Sequence, residues 1–415
     1  MSDIQLGRRS LFQAASLLVA GGWATRATAD EKLSQTGSPR DKIASVKTFL
    51  LRHTLKKPFG VSVSVPFDRT REALLVRIET DSGLVGWGET SPINGTRAAI
   101  DEQIGPNLIG QNPLEYRKIW RSMWGWNFGN ALAVGALDMA INDVRGKLLN
   151  LPVAELFGGR LRDRVRAYAS AMNYVEGQEP EDQFPAEAAA LVKQGYRALK
   201  IRIGRFPIAR EKKFITAVRE AVGPDVVLLA DGNAAYTMES ALRMGHVLND
   251  LEFEAFEEPL PQQTPRYPAY EELRRRLPLS LAGGEALDSR GSAQDLIQRR
   301  AFDIIQPDVS LCGGIGEALF VAELAALSGI RCYPHCWGSD IIIAATLQLV
   351  SLLPEPHGGF PTDSPLLEVD QSENPWRNGL AKGAFPIGAD GMITVPTRPG
   401  LGIDVDEAMV KEYAV

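Results

Sequence analysis

From Glu72 to Glu89 apolar and polar residues alternate on either side of Asp81-Ser82-Gly83. A period of two around a glycine-containing turn predicts a β-hairpin with one buried face. Residues 94 to 157 shift to helical periodicity, clearest from Ala131 to Leu148, and stop at Gly158-Gly159. After residue 160 short apolar runs alternate with charged, helix-forming stretches: Val165 to Ala169, Ala198 to Ile203, Val226 to Ala230, Phe253 to Phe256, Leu279 to Gly283, Phe302 to Gln306 and Ile330 to Pro334. With Leu366 to Val369 they predict an α/β fold, a (β/α)7β-type TIM barrel. The hairpin and helices before it form an α+β N-terminal capping domain. Phe385 to Ile403 carries β-formers and turn residues without a matching helix, and is expected to fold back and complete that domain. The expected divisions are 1–29, a leader; 30–160, the cap; 161–375, the barrel; and 376–415, the returning segment.

The leader is set apart by pattern and charge. Arg8-Arg9-Ser-Leu-Phe-Gln precedes an apolar run from Ala14 to Gly22 and an Ala27-Thr28-Ala29 cleavage-like site. This resembles a twin-arginine export signal, with Leu11 and Phe12 in swapped order and Gln13 where lysine is common, so a periplasmic location is expected. The apolar run is too short to span a bilayer. Removing Arg8, Arg9, Arg26 and Asp3, net +2, takes the formal charge from −6 to −8. An acidic chain without a basic stripe argues against nucleic acid as a partner and fits a small-molecule enzyme.

Polar residues recur at the strand ends. From Lys200 the next are Asp231, Glu257, Glu285, Asp308, His335 and Glu368, at gaps of 31, 26, 28, 23, 27 and 33 residues, each the length of one βα unit. In a parallel barrel the C-terminal strand ends converge on one mouth. Asp231, Glu257 and Glu285 are hard oxygen donors on three consecutive strands, a set suited to Mg²⁺. One acidic strand end would more often be a helix cap or a solvated loop residue; three in register reverse that. Strand alternation favours Glu257 over Glu258 as the inward residue. His335, with Asp308 one strand earlier to fix its tautomer, is the candidate acid/base.

Lys200 and Arg202 bring positive charge to the same mouth. Arginine does not give up its proton in proteins, so Arg202 is expected to clamp an oxyanion, and Lys200 is a doubtful second base. His53 lies ahead of the hairpin and lacks a second signal. Trp120, Trp124 and Trp126 read as helix packing rather than a substrate cage. Cys312, Cys332 and Cys336 are expected to be free, buried thiols; Cys332 and Cys336, four strand residues apart, are too distant for a disulfide. A zinc cluster of Cys332, His335 and Cys336 is disfavoured because alternation turns His335 and Cys336 to opposite faces.

Several of these motifs together, Trp87-Gly88-Glu89, Lys200-Ile-Arg202, Glu257-Glu258-Pro259, Gln306-Pro307-Asp308 and Pro334-His335-Cys-Trp-Gly338, resemble the enolase superfamily, and within it the mandelate racemase-like acid-sugar enzymes. The resemblance covers nearly everything after residue 45, and residues 367–377 are also similar to lactone cycloisomerases of that group. It implies Mg²⁺ on Asp231, Glu257 and Glu285, an acid/base dyad of His335 and Asp308, and Glu368 hydrogen-bonded to a substrate carboxylate oxygen, with Asn233, Lys200 and Arg202 also touching substrate. It further implies a sugar acid or sugar lactone as partner and assembly into a homo-oligomer.

Racemases of the group place a second lysine where Arg202 stands. With one strong base, β-elimination of an acid sugar to a 2-keto-3-deoxy acid is the leading expectation. Lactone cycloisomerisation comes next, then racemisation or epimerisation, and an exported, non-catalytic sugar-acid binder is the alternative of another class. Substrate choice is expected to lie in the capping loops Lys56 to Asp68 and Asn94 to Arg97.

Overall fold

A computed structural model describes residues 40–125, 129–262, 267–355 and 364–415. The leader, Trp126 and His357 lie outside these residues. The first layer is an antiparallel sheet of β1 (Ile43–Gly60), β2 (Asp68–Thr80), β3 (Val85–Thr90) and the two-residue β5 (Tyr174–Val175), ordered β3-β2-β1-β5. The β2–β3 turn falls on the predicted residues: Gly83 adopts φ 84°, and Asp41 accepts from the Ser82 backbone at 3.1 Å. β1 had no counterpart in the sequence pattern. Its 18 residues contain irregularities after Ile43 and after Thr54 that break the period of two.

Short helical turns between Thr96 and Leu108, then α1 (Tyr116–Met123) and α2 (Ala131–Leu149), cover this sheet. Asn130 caps α2 by accepting from Ala133 N at 3.1 Å, and Asn150 ends it in the left-handed region. The helix packs backbone to backbone on β3, which explains the glycines flanking Trp87. A Cβ on Gly86 would stand 2.2 Å from the Ala140 carbonyl oxygen, and one on Gly88 1.9 Å from that of Ala136.

The second layer is the barrel. Its strands are β4 (Arg164–Ala171), β6 (Ala198–Arg202), β7 (Val227–Asp231), β8 (Ala255–Glu257), β9 (Ser280–Gly283), β10 (Ile304–Ile305), β11 (Arg331–Cys332) and β12 (Leu366–Asp370). They pair in parallel in the order β11-β10-β9-β8-β7-β6-β4-β12. The helices between them are α3 (Pro180–Gln194), α4 (Ile208–Val222), α5 (Met238–Asp250), α6 (Pro268–Arg276), α7 (Arg290–Arg299), α8 (Ile315–Leu327) and α9 (Asp340–Leu352), so the described residues form a (β/α)7β barrel.

The barrel interior is plugged by Tyr168, Ala198, Leu229, Ala255, Ala282, Ile304, Tyr333 and Leu366, a cluster separate from the larger core under the helices. Residues two positions further along each strand point the same way. They are Ser170, Lys200, Asp231, Glu257, Gln306 beyond Ile304, His335 and Glu368; only β9 breaks the rule.

After the barrel, β13 (Met392–Thr394) pairs antiparallel with the start of β4. The chain then reaches the cap, where Gly400 O accepts from Val153 N and Leu401 N donates to Asp143 of α2, both at 2.9 Å. The last helix, α10 (Glu407–Tyr413), lies on β1, and Val415 N donates to Leu50 O at 2.9 Å.

Candidate active site

The mouth of the barrel holds two linked groups of buried polar side chains. In the first, Lys200 Nζ lies 2.8 Å from Glu257 Oε1, 2.8 Å from Glu368 Oε1 and 3.5 Å from Asp231 Oδ2. Arg202 bonds Asp231 through Nη1, which also reaches Asn233 Oδ1 at 3.2 Å, and Nη2 donates to Ser170 Oγ at 3.2 Å. Its Nε, buried in the mouth, has no hydrogen-bond acceptor among the described residues. Burial works against the charged lysine, but Glu257 and Glu368 outweigh it and hold the Lys200 proton far more tightly than usual. Lys200 is therefore held as a cation by the carboxylates around it in this arrangement.

The second group is the dyad. His335 Nδ1 lies 2.6 Å from Asp308 Oδ2, and Asp308 is itself held by Ser310 N and Oγ, each at 2.6 Å. The other ring nitrogen, Nε2, is 3.4 Å from Glu285 Oε2. Burial favours the neutral imidazole, but Glu285, then Glu368 and Asp308, push its pKa up to about 10. The groups join through Glu368 Oε2, which accepts from Cys336 N at 3.2 Å.

Glu257 and Glu258 point apart, as alternation requires. Glu257 takes Lys200 and, on Oε2, the Gln306 amide at 2.9 Å, whereas Glu258 bonds Gln262. Glu285 breaks the two-residue rule because Gly284, at φ 103°, turns the chain beyond β9. A third residue past Ala282 thereby reaches His335.

Among the described residues, the carboxylates of Asp231, Glu257, Glu285, Asp308 and Glu368 pair with two permanent cations and one imidazole. The imbalance appears at Glu257, where burial first, then Asp231, raise the pKa to about 8 despite Lys200. Lys200 and Arg202 sit on Glu257 and Asp231, and no three of these side chains converge as a metal-holding group among the described residues. An all-oxygen donor set at the ends of three adjacent strands is nonetheless the chemistry that a divalent cation of the Mg²⁺ type takes. Asp231, Glu257 and Glu285 are the residues that would hold it.

Above the dyad is a cavity of about 430 Å³ between barrel and cap. His335, Asp308 and Trp337 line it from below, and Phe59, Arg71 and Glu89 from the cap. Glu89 reaches across to the N-terminus of α9, accepting from Ser339 N at 2.8 Å, Ser339 Oγ at 2.5 Å and Ile342 N at 3.3 Å. The capping segment around Ser62 is latched to the loop after Asp231: Ser62 Oγ donates to Asn233 O at 3.2 Å and Ser64 Oγ to Ala234 O at 3.1 Å.

Some sequence candidates fall elsewhere. His53 sits on β1, 2.8 Å from Glu373 and edge-on to Tyr413, and does not line the cavity. Trp120 donates to Gly313 O at 3.0 Å and packs on Trp124, fastening α1 to the barrel. The three cysteines are free and buried, and no cluster of three or more metal-ligating residues assembles around them among the described residues. Sequence reasoning missed Gln306, Ser310, Arg71 and the partner of Glu89. Gln306 alone carried a signal, since it shares the parity of Asp308.

Two family models match the chain: "Enolase C-terminal domain-like" over residues 183–409, and "Mandelate racemase / muconate lactonizing enzyme, N-terminal domain" over residues 43–158. A D-galactarolactone cycloisomerase of Agrobacterium fabrum is 36% identical, the match covering 90% of this chain and 98% of the relative. An arabinonate dehydratase of Saccharolobus solfataricus is 30% identical over 82% and 90%. The crystal structure of the 3,6-anhydro-D-galactonate cycloisomerase from Zobellia galactanivorans superposes with a TM-score of 0.79 at 30% identity, covering 90% of this chain and 99% of that one.

Proposed function

Because the chain belongs to the enolase superfamily and is an enzyme of its lyase or isomerase branches, we propose that it is a Mg²⁺-dependent acid-sugar dehydratase. The observation that carries this reading is the single proton-exchanging group in the mouth: His335 on Asp308, with Lys200 pinned between Glu257 and Glu368 and Arg202 in place of a second base.

A sugar acid enters with its carboxylate toward Lys200 and Arg202. His335 Nε2 takes the proton from the carbon alpha to that carboxylate, while Asp308 holds Nδ1 and stabilises the imidazolium. The electron pair moves onto the carboxylate oxygens as an enediolate. In this reading Lys200 and Arg202 supply the positive charge that offsets the developing charge. Asp231, Glu257 and Glu285 would hold a divalent cation, which would supply Lewis-acid stabilisation of the enediolate. Glu285, the carboxylate that does most to hold the His335 proton, would be neutralised in that role. The enediolate then expels the β-oxygen, and the imidazolium returns its proton to that oxygen as water leaves. The resulting enol tautomerises to a 2-keto-3-deoxy acid.

A second reading is favoured by the 36% identity to a lactone cycloisomerase. If the β-oxygen belongs to a lactone ring, the same first step expels a carboxylate, a better leaving group that needs no proton. One panel tests both: aldonic acids, aldaric acids and their lactones with Mg²⁺, read by keto-acid formation and by mass. A product lighter than substrate by one water supports dehydration; a keto acid isomeric with its lactone supports cycloisomerisation. Epimer without keto acid, or no turnover across the panel, sinks the elimination reading. The leader is proposed to direct export; an Arg8→Lys, Arg9→Lys pair should shift the protein from periplasm to cytoplasm on fractionation.

A further inference from the structure

A count of protons leaves the proposed dehydration one donor short. His335 takes a proton from the α-carbon and returns it to the departing water, so its ring is neutral when the enol forms. The enol must then gain a proton at its β-carbon and lose the one on its oxygen. Neutral His335 can accept the second, but it has none to give to carbon. Lys200 and Arg202 serve as the positive charge beside the carboxylate, and arginine does not release its proton. The missing acid has to come from another wall of the cavity.

Among the described residues, four carboxylates line the cavity above the dyad. Three are committed: Glu72 accepts from Arg52 Nε at 2.7 Å, Glu89 from Ser339 N at 2.8 Å, and Asp308 from Ser310 N and Oγ, each at 2.6 Å. The fourth, Asp68, accepts no hydrogen bond among the described residues. It opens β2 on the cap, its backbone opposite Phe59, which lines the same cavity. Ser62 and Ser64 fasten the loop before it to the barrel, so this wall is held over the mouth. Partial desolvation raises the Asp68 pKa; Arg71, which opposes the rise, is itself engaged by Asp370 and Ser372. Solvent still reaches the side chain, so a spent proton can be replaced.

We propose that Asp68 is a second catalytic acid, delivering from the cap the proton that turns the enol into the keto acid. Its O–H bond breaks as a C–H bond forms at the β-carbon, made by the electron pair of the C=C bond. The enol O–H bond breaks in the same step, its electron pair closing the carbonyl and its proton passing to His335 Nε2. Asp68 is left as a carboxylate and His335 as an imidazolium; solvent returns a proton to the first and removes one from the second. A donor fixed on one wall protonates one face of the enol. The inference rests on the proposed dehydration and adds to it the residue that completes the product. On the lactone route the leaving carboxylate takes no proton, so His335 stays an imidazolium and can itself protonate the β-carbon.

The test runs the aldonic and aldaric acids that wild type turns over, beginning with galactonate and galactarate, in heavy water with Mg²⁺. Wild type, Asp68→Asn and Asp68→Glu are compared, and the β-carbon of the product is read by NMR. Wild type should place one deuterium there in a single configuration. Asp68→Asn should lose a general-acid contribution of roughly 10²–10⁴-fold in the ketonisation alone. Free enol should then appear as a transient ultraviolet absorbance, and the product should carry deuterium in both configurations in nearly equal amounts. Asp68→Glu should recover part of the selectivity. A single configuration retained in Asp68→Asn, mixed configurations from wild type, or protium at the β-carbon would overturn the inference while leaving the elimination reading intact. Loss of α-proton exchange together with keto acid in Asp68→Asn would place the residue in binding instead, and overturn it too. A wild type that forms no keto acid from any acid of the panel has no enol to protonate, and that result alone overturns both readings.

Discussion

Glu89 ties the two domains together above the dyad, and its charge state should be visible in the protein's stability. Burial raises its pKa to about 7 against the bonds from Ser339 and Ile342 that favour the carboxylate. The folded protein therefore binds this proton more tightly than the unfolded chain, whose reference is 4.5. Stability from the protonated form is fully present below pH 4.5 and is lost as pH rises through 7. Over that window the loss is about 3 kcal/mol, at 1.36 kcal/mol per pKa unit.

Glu89→Gln keeps the shape and removes the titration. One of its ends must now donate where the carboxylate only accepted, so the variant should be less stable by about 1 kcal/mol at pH 5. Its deficit should shrink and then reverse as pH approaches 8. Equilibrium urea unfolding at pH 5, 6, 7 and 8 reads the difference between the two proteins, which cancels the other titrating groups. Parallel pH profiles would refute the reasoning, because they would mean that Glu89 keeps an ordinary affinity for its proton.

Other outcomes follow from the same geometry. His335→Asn should remove α-proton exchange and turnover together, by about 10²–10⁴-fold, read by deuterium wash-in from solvent; exchange surviving at wild-type rate would mean that another base acts. Asp308→Asn should keep the ring in place but release its tautomer, lowering kcat more than it raises KM. Divalent-metal affinity should rise with pH by about tenfold per unit until pH 8, because Glu257 must release its raised proton to bind; calorimetry in buffers of different ionisation enthalpy would count that proton, and a pH-independent affinity would refute it. Arg202→Lys should weaken elimination and allow epimer to form, since a lysine there can exchange a proton; loss of elimination with no epimer would show that the base on the opposite face needs more than this one substitution.

The parts of the site that sequence revealed share one physical origin. Most lie two residues past an inward-facing plug residue, and Arg202 and Asp308 four, so strand spacing and alternation place them without knowledge of any contact. Lys200 after Ala198, Asp231 after Leu229, Glu257 after Ala255, His335 after Tyr333 and Glu368 after Leu366 all obey that rule. Glu285 was legible only because it stood third in the carboxylate ladder; the left-handed turn at Gly284 that aims it was not. What remained hidden depends on pairs far apart in the chain. Glu89 meets Ser339 across 250 residues and Arg71 meets Ser372 across 301. β1, whose bulges erase its period, offered no pattern from which to place the cap.

That division bears on what each half of the molecule decides. Barrel residues are fixed by strand geometry that any member of the fold shares, and in the proposed reaction they carry the bond breaking. The cap reaches the cavity through long-range contacts, among them Glu89 on α9, Arg71 on Asp370 and Ser372, and Ser62 on Asn233, each joining a cap side chain to a strand end, a helix end or the loop after it. A change in the cap can therefore alter what is bound while leaving His335, Asp308 and Lys200 where the barrel puts them. The converse does not hold. Moving β12 by one residue would turn Glu368 away from Lys200 and Asp370 away from Arg71 together, since the two carboxylates share one face of the same strand. Strand β12 thus ties the carboxylate cluster around Lys200 to the Arg71 contact with the cap.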